Sequence, residues 1–129
     1  MLVYGPTGAL SEYQYKNGVF HGVHYGDYQQ DSQALFEMID KEEAFLLQSP
    51  QKRRILFDLY HTALSPEVVD RLVTHVSRVS SRIIKVAFAA ERGELRKLKS
   101  AMKKNAPIPF ERCMFDEDQD TDKTWLVTD

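Results

Sequence analysis

Residues 54–71, RILFDLYHTALSPEVVDR, constrain the fold more than any other stretch, because they read as a covered strand, a short loop and a capped helix without a break. Ile55, Leu56, Phe57 and Leu59 form an apolar run interrupted only by Asp58, the composition of a strand packed on both faces. Ser65 is placed to cap the helix, Pro66 at the first helical position loses no needed N–H, and Glu67 brings negative charge to the positive helix end. Residues 83–90, IIKVAFAA, supply a second strand of the same kind after that helix. A strand, a helix and a strand in this order predict a right-handed βαβ crossover and parallel pairing.

The rest of the chain extends this unit at both ends. Residues 1–10 hold Gly5, Pro6 and Gly8 with little periodicity and read as an irregular lead-in; residues 11–129 make one domain. Two tyrosine-rich runs, residues 11–16 and 19–28, flank Asn17-Gly18, the dipeptide that a type I′ turn favours, so an antiparallel hairpin is expected. On its second strand Val19, His21, Val23 and Tyr25 share one face and Phe20, Gly22 and His24 the other, so an H-x-x-H pair there does not chelate one metal. Asp31 or Ser32 caps a helix to about residue 48, with Leu35, Met38, Ile39, Phe45 and Leu46 near one stripe and Glu42 breaking it. The helix from Pro66 runs to about residue 81, and a third spans about 93–104. A strand over 110–115, the acidic run 116–122 and a short helix containing Trp125, Leu126 and Val127 complete the order ββαβαβαβα. The fold class is therefore α/β, a mixed sheet of about five strands with about four helices.

Composition narrows the role. With 129 residues, 43% of them hydrophobic, the chain is long enough for one core and not for two. A formal net charge of −2 offers no general attraction to nucleic acid or an anionic membrane. The single cysteine, Cys113, excludes an internal disulfide or a cysteine-based zinc site, and the count suits a reducing cytoplasm. No basic leader precedes a long apolar run, and no stretch is apolar enough to span a bilayer, so a soluble cytoplasmic protein is expected.

Candidate functional residues gather where the first parallel strand meets its helix, since ligands of open α/β sheets sit at the carboxyl ends of strands. Asp58, Tyr60, His61 and Ser65 fall there. Ser65 is either a plain N-cap or a phosphate acceptor beside a positive helix end. Asp58, near the end of a covered strand, must find donors such as loop N–H groups. Catalysis by Asp58, His61 and Ser65 is the alternative to binding. His21, His24, His61 and His75 share no spacing with carboxylates that makes a metal or triad motif, and no cofactor is indicated. Arg92, Arg96, Lys97, Lys99, Lys103 and Lys104 make the third helix basic on its outer side, a solvated face or a seat for an acidic partner. The acidic run lacks the glycine and final glutamate of a calcium loop and reads as a helix start.

The element order resembles the STAS domain, the fold of bacterial anti-sigma factor antagonists, and more closely its SpoIIAA-like, STAS/SEC14 branch. Ile55-Leu-Phe-Asp-Leu59 with Thr62-Ala-Leu-Ser-Pro-Glu-Val-Val69 is similar to that branch's strand, loop and Ser-Pro-capped helix, Lys85-Val-Ala-Phe88 to its next strand, and Phe115-Asp116 with Trp125-Leu126 to its terminal strand and helix, over about residues 11–128. The resemblance implies a non-enzymatic regulatory module that binds a protein partner, a small molecule or a lipid. Two features depart from it. The Asp-Ser-Ser-Gly-like phosphorylation sequence of the sporulation antagonists is replaced by Ala63-Leu-Ser-Pro-Glu67, and the glycine-containing turn before the third helix by Ala90-Glu-Arg-Gly93.

Overall fold

A computed structural model describes residues 2–129. Its strands are β1 (Tyr13–Tyr15), β2 (Gly18–His24), β3 (Arg53–Asp58), β4 (Ile83–Ala89) and β5 (Cys113–Phe115). The helices are α1 (Ser32–Leu47), α2 (Pro66–Arg78), α3 (Arg92–Asn105) and α4 (Gln119–Val127). All five strands join one mixed sheet in the order β1-β2-β3-β4-β5, antiparallel between β1 and β2 and parallel thereafter. This is the α/β architecture and element order that the sequence predicts.

Sheet order equals chain order, and this decides where everything else goes. Crossovers that always step to the next strand with one hand put their helices on one face. Leu35 and Ile39 of α1, Leu72 and Val76 of α2, and Leu98 and Met102 of α3 accordingly share the larger core with Val23, Ile55, Phe57, Val86 and Phe88. Rings stack from strand to strand across this face: Tyr25 on Phe57 at 5.6 Å, Phe57 on Phe88 at 5.2 Å, and Phe88 on Phe115 at 5.2 Å between centroids. Following the last strand, α4 folds onto the opposite face, where Leu126 meets Phe20, Leu56, Ala87 and Ala89.

Helix starts follow the capping chemistry. Asp31 accepts the Ala34 N–H at 3.1 Å to begin α1, and Ser65 accepts the Val68 N–H at 3.3 Å with Pro66 at the first position of α2. Asp118 accepts the Asp120 N–H at 3.0 Å and caps α4, so the acidic run is a helix start.

Four local expectations are corrected. The hairpin turn is centred on Lys16-Asn17, one residue earlier than Asn17-Gly18, with Lys16 alone at positive φ (53°), the type II′ pattern. Gly18 instead opens β2, where a Cβ would lie 2.5 Å from the Val127 Cβ; its missing side chain admits the end of α4 rather than a turn. The last strand begins at Cys113, because Phe110–Arg112 forms a 3-10 turn, and α2 stops at Arg78, before a 3-10 turn at Ser80–Arg82. The second strand ends at His24, short of residue 28, and beyond it the chain follows β3 through loop hydrogen bonds.

Among the described residues no helix is long and apolar enough to cross a membrane.

Candidate functional site

The junction after β3 is zipped to the loop after β2. Asp27 N–H donates to the Tyr60 carbonyl at 3.0 Å, Gln29 N–H to the His61 carbonyl at 3.1 Å, and Ala63 N–H to the Gln29 carbonyl at 3.0 Å. The Thr62 hydroxyl donates to the Tyr25 carbonyl at 2.7 Å and accepts the Tyr28 N–H at 3.1 Å. Asp27, Gln29 and His61 all hold positive φ (68°, 49° and 67°), a region non-glycine residues seldom enter, so the crest carries backbone strain held by these cross-links.

Around this crest the four predicted residues part company. Alternation along β3 sends Ile55, Phe57 and Leu59 to the crossover helices and Leu56, Asp58 and Tyr60 to the α4 side. Asp58 accepts the Tyr60 N–H at 3.1 Å and lies 3.4 Å from His24 Nδ1, the loop donor and the partner its position requires. The other imidazole nitrogen, His24 Nε2, is 3.3 Å from Asp27 Oδ2. The Tyr60 hydroxyl donates to the Glu117 carbonyl. Burial, followed by the carboxylates of Glu117, Glu91 and Asp58, raises its phenol above the ordinary range, which keeps it a donor. His61 is 70% exposed, with its backbone N–H donated to Glu91 at 3.2 Å. Ser65 is exposed on the other side, in a cavity of about 310 Å³ that it shares with Asp31, Ser32 and Thr62, between the starts of α1 and α2.

A sheet without reversal of strand order explains this divergence. Crossovers on both faces would open a crevice at the point where they separate, and here no such point exists. The larger opening at the strand ends lies on the α4 face, a slot of about 480 Å³ between the lead-in and α4, with Asp58 and His24 at its polar end. The lead-in forms one wall: Tyr4 bridges Leu10, and the Leu10 carbonyl accepts the Gly22 N–H at 2.9 Å. Contact this close rests on the bare Cα of Gly22, whose Cβ would come within 3.2 Å of that carbonyl oxygen.

No family model, no curated protein and no solved structure gives a significant match to this chain. The site is therefore read from its own chemistry.

Two buried polar relays were missed by sequence reading. His21 Nε2 lies 3.0 Å from Glu42 Oε2 and its Nδ1 2.9 Å from the Ser11 hydroxyl, all three residues buried. The order Ser–His–Glu is that of a proton relay, but Ser11 is only 3% exposed, and the relay latches the lead-in to β2 and α1. In the second relay the Tyr25 hydroxyl is 2.9 Å from His75 Nε2, and His75 Nδ1 is 2.9 Å from Glu43. Arg71 donates to Glu43 at 2.8 Å and to Asp40 at 2.7 Å. Burial pushes the Glu43 carboxyl up, yet the bonds from His75 and Arg71 outweigh it and bring the group down to about 2. Burial also lowers His75, against the pull of Glu43, so a neutral imidazole donates from Nδ1 and accepts from Tyr25. The sequence signal for the first relay was the break that Glu42 makes in the apolar stripe of α1.

Elsewhere, all six basic residues of α3 are exposed. Arg92 pairs with Glu117 at 2.9 Å and Lys97 with Glu94 at 3.0 Å; Arg96, Lys99, Lys103 and Lys104 have no carboxylate partner among the described residues. Cys113 is half-buried, and burial raises its thiol to about 11, far from a reactive thiolate. Asp122 on α4 is fully buried, and neither carboxylate oxygen has a partner among the described residues; burial, then Asp116 and Asp118, push it up to about 8.

Proposed function

We propose that this domain is a non-enzymatic regulatory binding module of the STAS kind, in the SpoIIAA-like branch, which engages a protein partner or a small-molecule or lipid ligand through the junction of residues 58–67. The observation that carries this reading is the divergence of the polar side chains. Asp58 lines the slot on the α4 face, Ser65 lines the cavity between α1 and α2, and His61 reaches into solvent beside Glu91. Catalysis requires an acid, a base and a nucleophile converging on one reacting atom. Asp58, His61 and Ser65 instead present a strained, cross-linked crest to a partner, with openings on either side. The element order and the Ser-Pro start of α2 support the family assignment. The exposed Ser65 hydroxyl, which caps α2, is a candidate phosphate acceptor, although Asp31 shares its cavity and repels added negative charge.

Partner capture tests the proposal. Ser65→Asp and His61→Ala are expected to change which proteins co-purify from the native host, with Glu111→Ala, exposed in the turn before β5, as the control that leaves them unchanged. Ser65→Ala should cost about 1 kcal/mol as a lost cap. Identical capture by all four proteins would overturn the role of the crest.

A further inference from the structure

The slot on the α4 face has a chemistry that selects among ligands. We infer that it binds a small amphipathic amine, an apolar or aromatic body ending in a protonated nitrogen, with Asp58 as its anchor; this deepens the binding reading of the same junction by naming a ligand class. Tyr4, Leu10, Tyr13, Phe20 and Leu56 give the slot apolar and aromatic walls. Its volume, about 480 Å³, lies in the range of about 300–1,000 Å³ where pockets bury most of a small ligand.

The polar end is acidic. Asp58 is the only carboxylate lining the slot, and its neighbours do not neutralise it. The Tyr60 N–H is an uncharged donor, and His24 lies between Asp58 on one nitrogen and Asp27 on the other. Two carboxylates on one imidazole leave the trio net negative whether or not the ring is protonated. The Asp58 oxygens keep lone pairs for a further donor, since a carboxylate offers about four acceptor positions. Lys123, the one cation in the lining among the described residues, is held over the rings of Tyr13 and Tyr15 at 5.5 and 5.8 Å, on the wall between β1 and α4. An ammonium group is thus matched at Asp58, while a carboxylate on the same body meets like charge there.

Phenethylamine and phenylacetate, two ligands with one ring and opposite charge, test this on the intact chain. Phenethylamine is expected to give saturable amide chemical-shift changes at Leu10, Tyr13, Leu56 and Gln119, and phenylacetate at equal concentration to give none. Asp58→Asn retains an acceptor for the Tyr60 N–H and should weaken amine binding about tenfold, the loss of one charge-assisted hydrogen bond. The wild-type pair of titrations stands without that variant if it does not fold. Equal shifts from phenylacetate, no saturable shift with the amine, or full affinity in a folded Asp58→Asn would each overturn the inference. Partner capture reads other residues by another measurement, so either reading fails without the other.

Discussion

The two faces of the sheet handle a buried carboxylate in opposite ways. On the crossover face Glu43 is met by His75, Arg71 and Arg78, and the bonds from His75 and Arg71 bring it down to about 2 despite burial. On the α4 face Asp122 meets no donor among the described residues, and burial beside Asp116 and Asp118 pushes it up to about 8. The residues are both acids at buried helix positions; the difference lies in what their surroundings offer. Glu43 on α1 faces α2, which alone brings Arg71, His75 and Arg78 into its reach. Asp122 lies under a single helix, over a face lined by small and apolar residues such as Ala87 and Ala89. A carboxylate is therefore a tie on one face and a cost on the other.

The sharpest way to break this contrast is Glu43→Ala. Removing the hub leaves Arg71 and His75 without their shared acceptor and should destabilise the fold by about 3 kcal/mol, measured by urea unfolding at neutral pH. The same pair sets the acid limb. Glu43 is depressed from its ordinary 4.5, so its contribution is present above that pH and is lost as pH falls toward about 2. His75 is depressed below 6.5, so the unfolded chain takes a proton that the folded chain refuses, and this loss starts as pH falls below 6.5.

Asp122 works in the other direction. Its folded value of about 8 stands above the ordinary 3.8, so the folded chain holds the extra proton and stability falls as pH rises through that interval. Between these values His75 offsets part of the fall; above pH 6.5 it no longer does. Asp122→Asn should therefore abolish a decline in melting temperature between pH 6.5 and 8, raising stability at pH 8 by about 2 kcal/mol. The gain stops short of the full linkage because the amide remains buried without partners. The smallest effect expected is that of Gly18→Ala, where the new methyl meets Val127: about 1 kcal/mol by thermal melting, largely recovered in the double variant with Val127→Ala.

Much of the architecture was legible from short-range chemistry. Ser65 and Pro66 start α2 where capping rules put them, and the inward and outward residues of β2 alternate as the pleat requires. What failed locally failed because a distant residue intervened. Asn17-Gly18 is the favoured turn dipeptide, but Gly18 is needed beneath Val127, more than a hundred residues on, and the turn moves back by one. The candidate site was legible as a set of residues and not as a place. Asp58 and Ser65 are seven positions apart, and strand alternation with the helix start sends them to different openings.

The sequence by itself determined the α/β class, the element order, the caps of α1 and α2 and the alternation of faces along β2, because those properties depend on neighbours within a turn or a pleat. Only the tertiary structure decided that the lead-in walls a slot, that His24 stands between Asp27 and Asp58, and that Glu43 finds donors while Asp122 finds none. Those outcomes depend on which surfaces the single direction of crossovers brings together, across separations that local pattern does not reach.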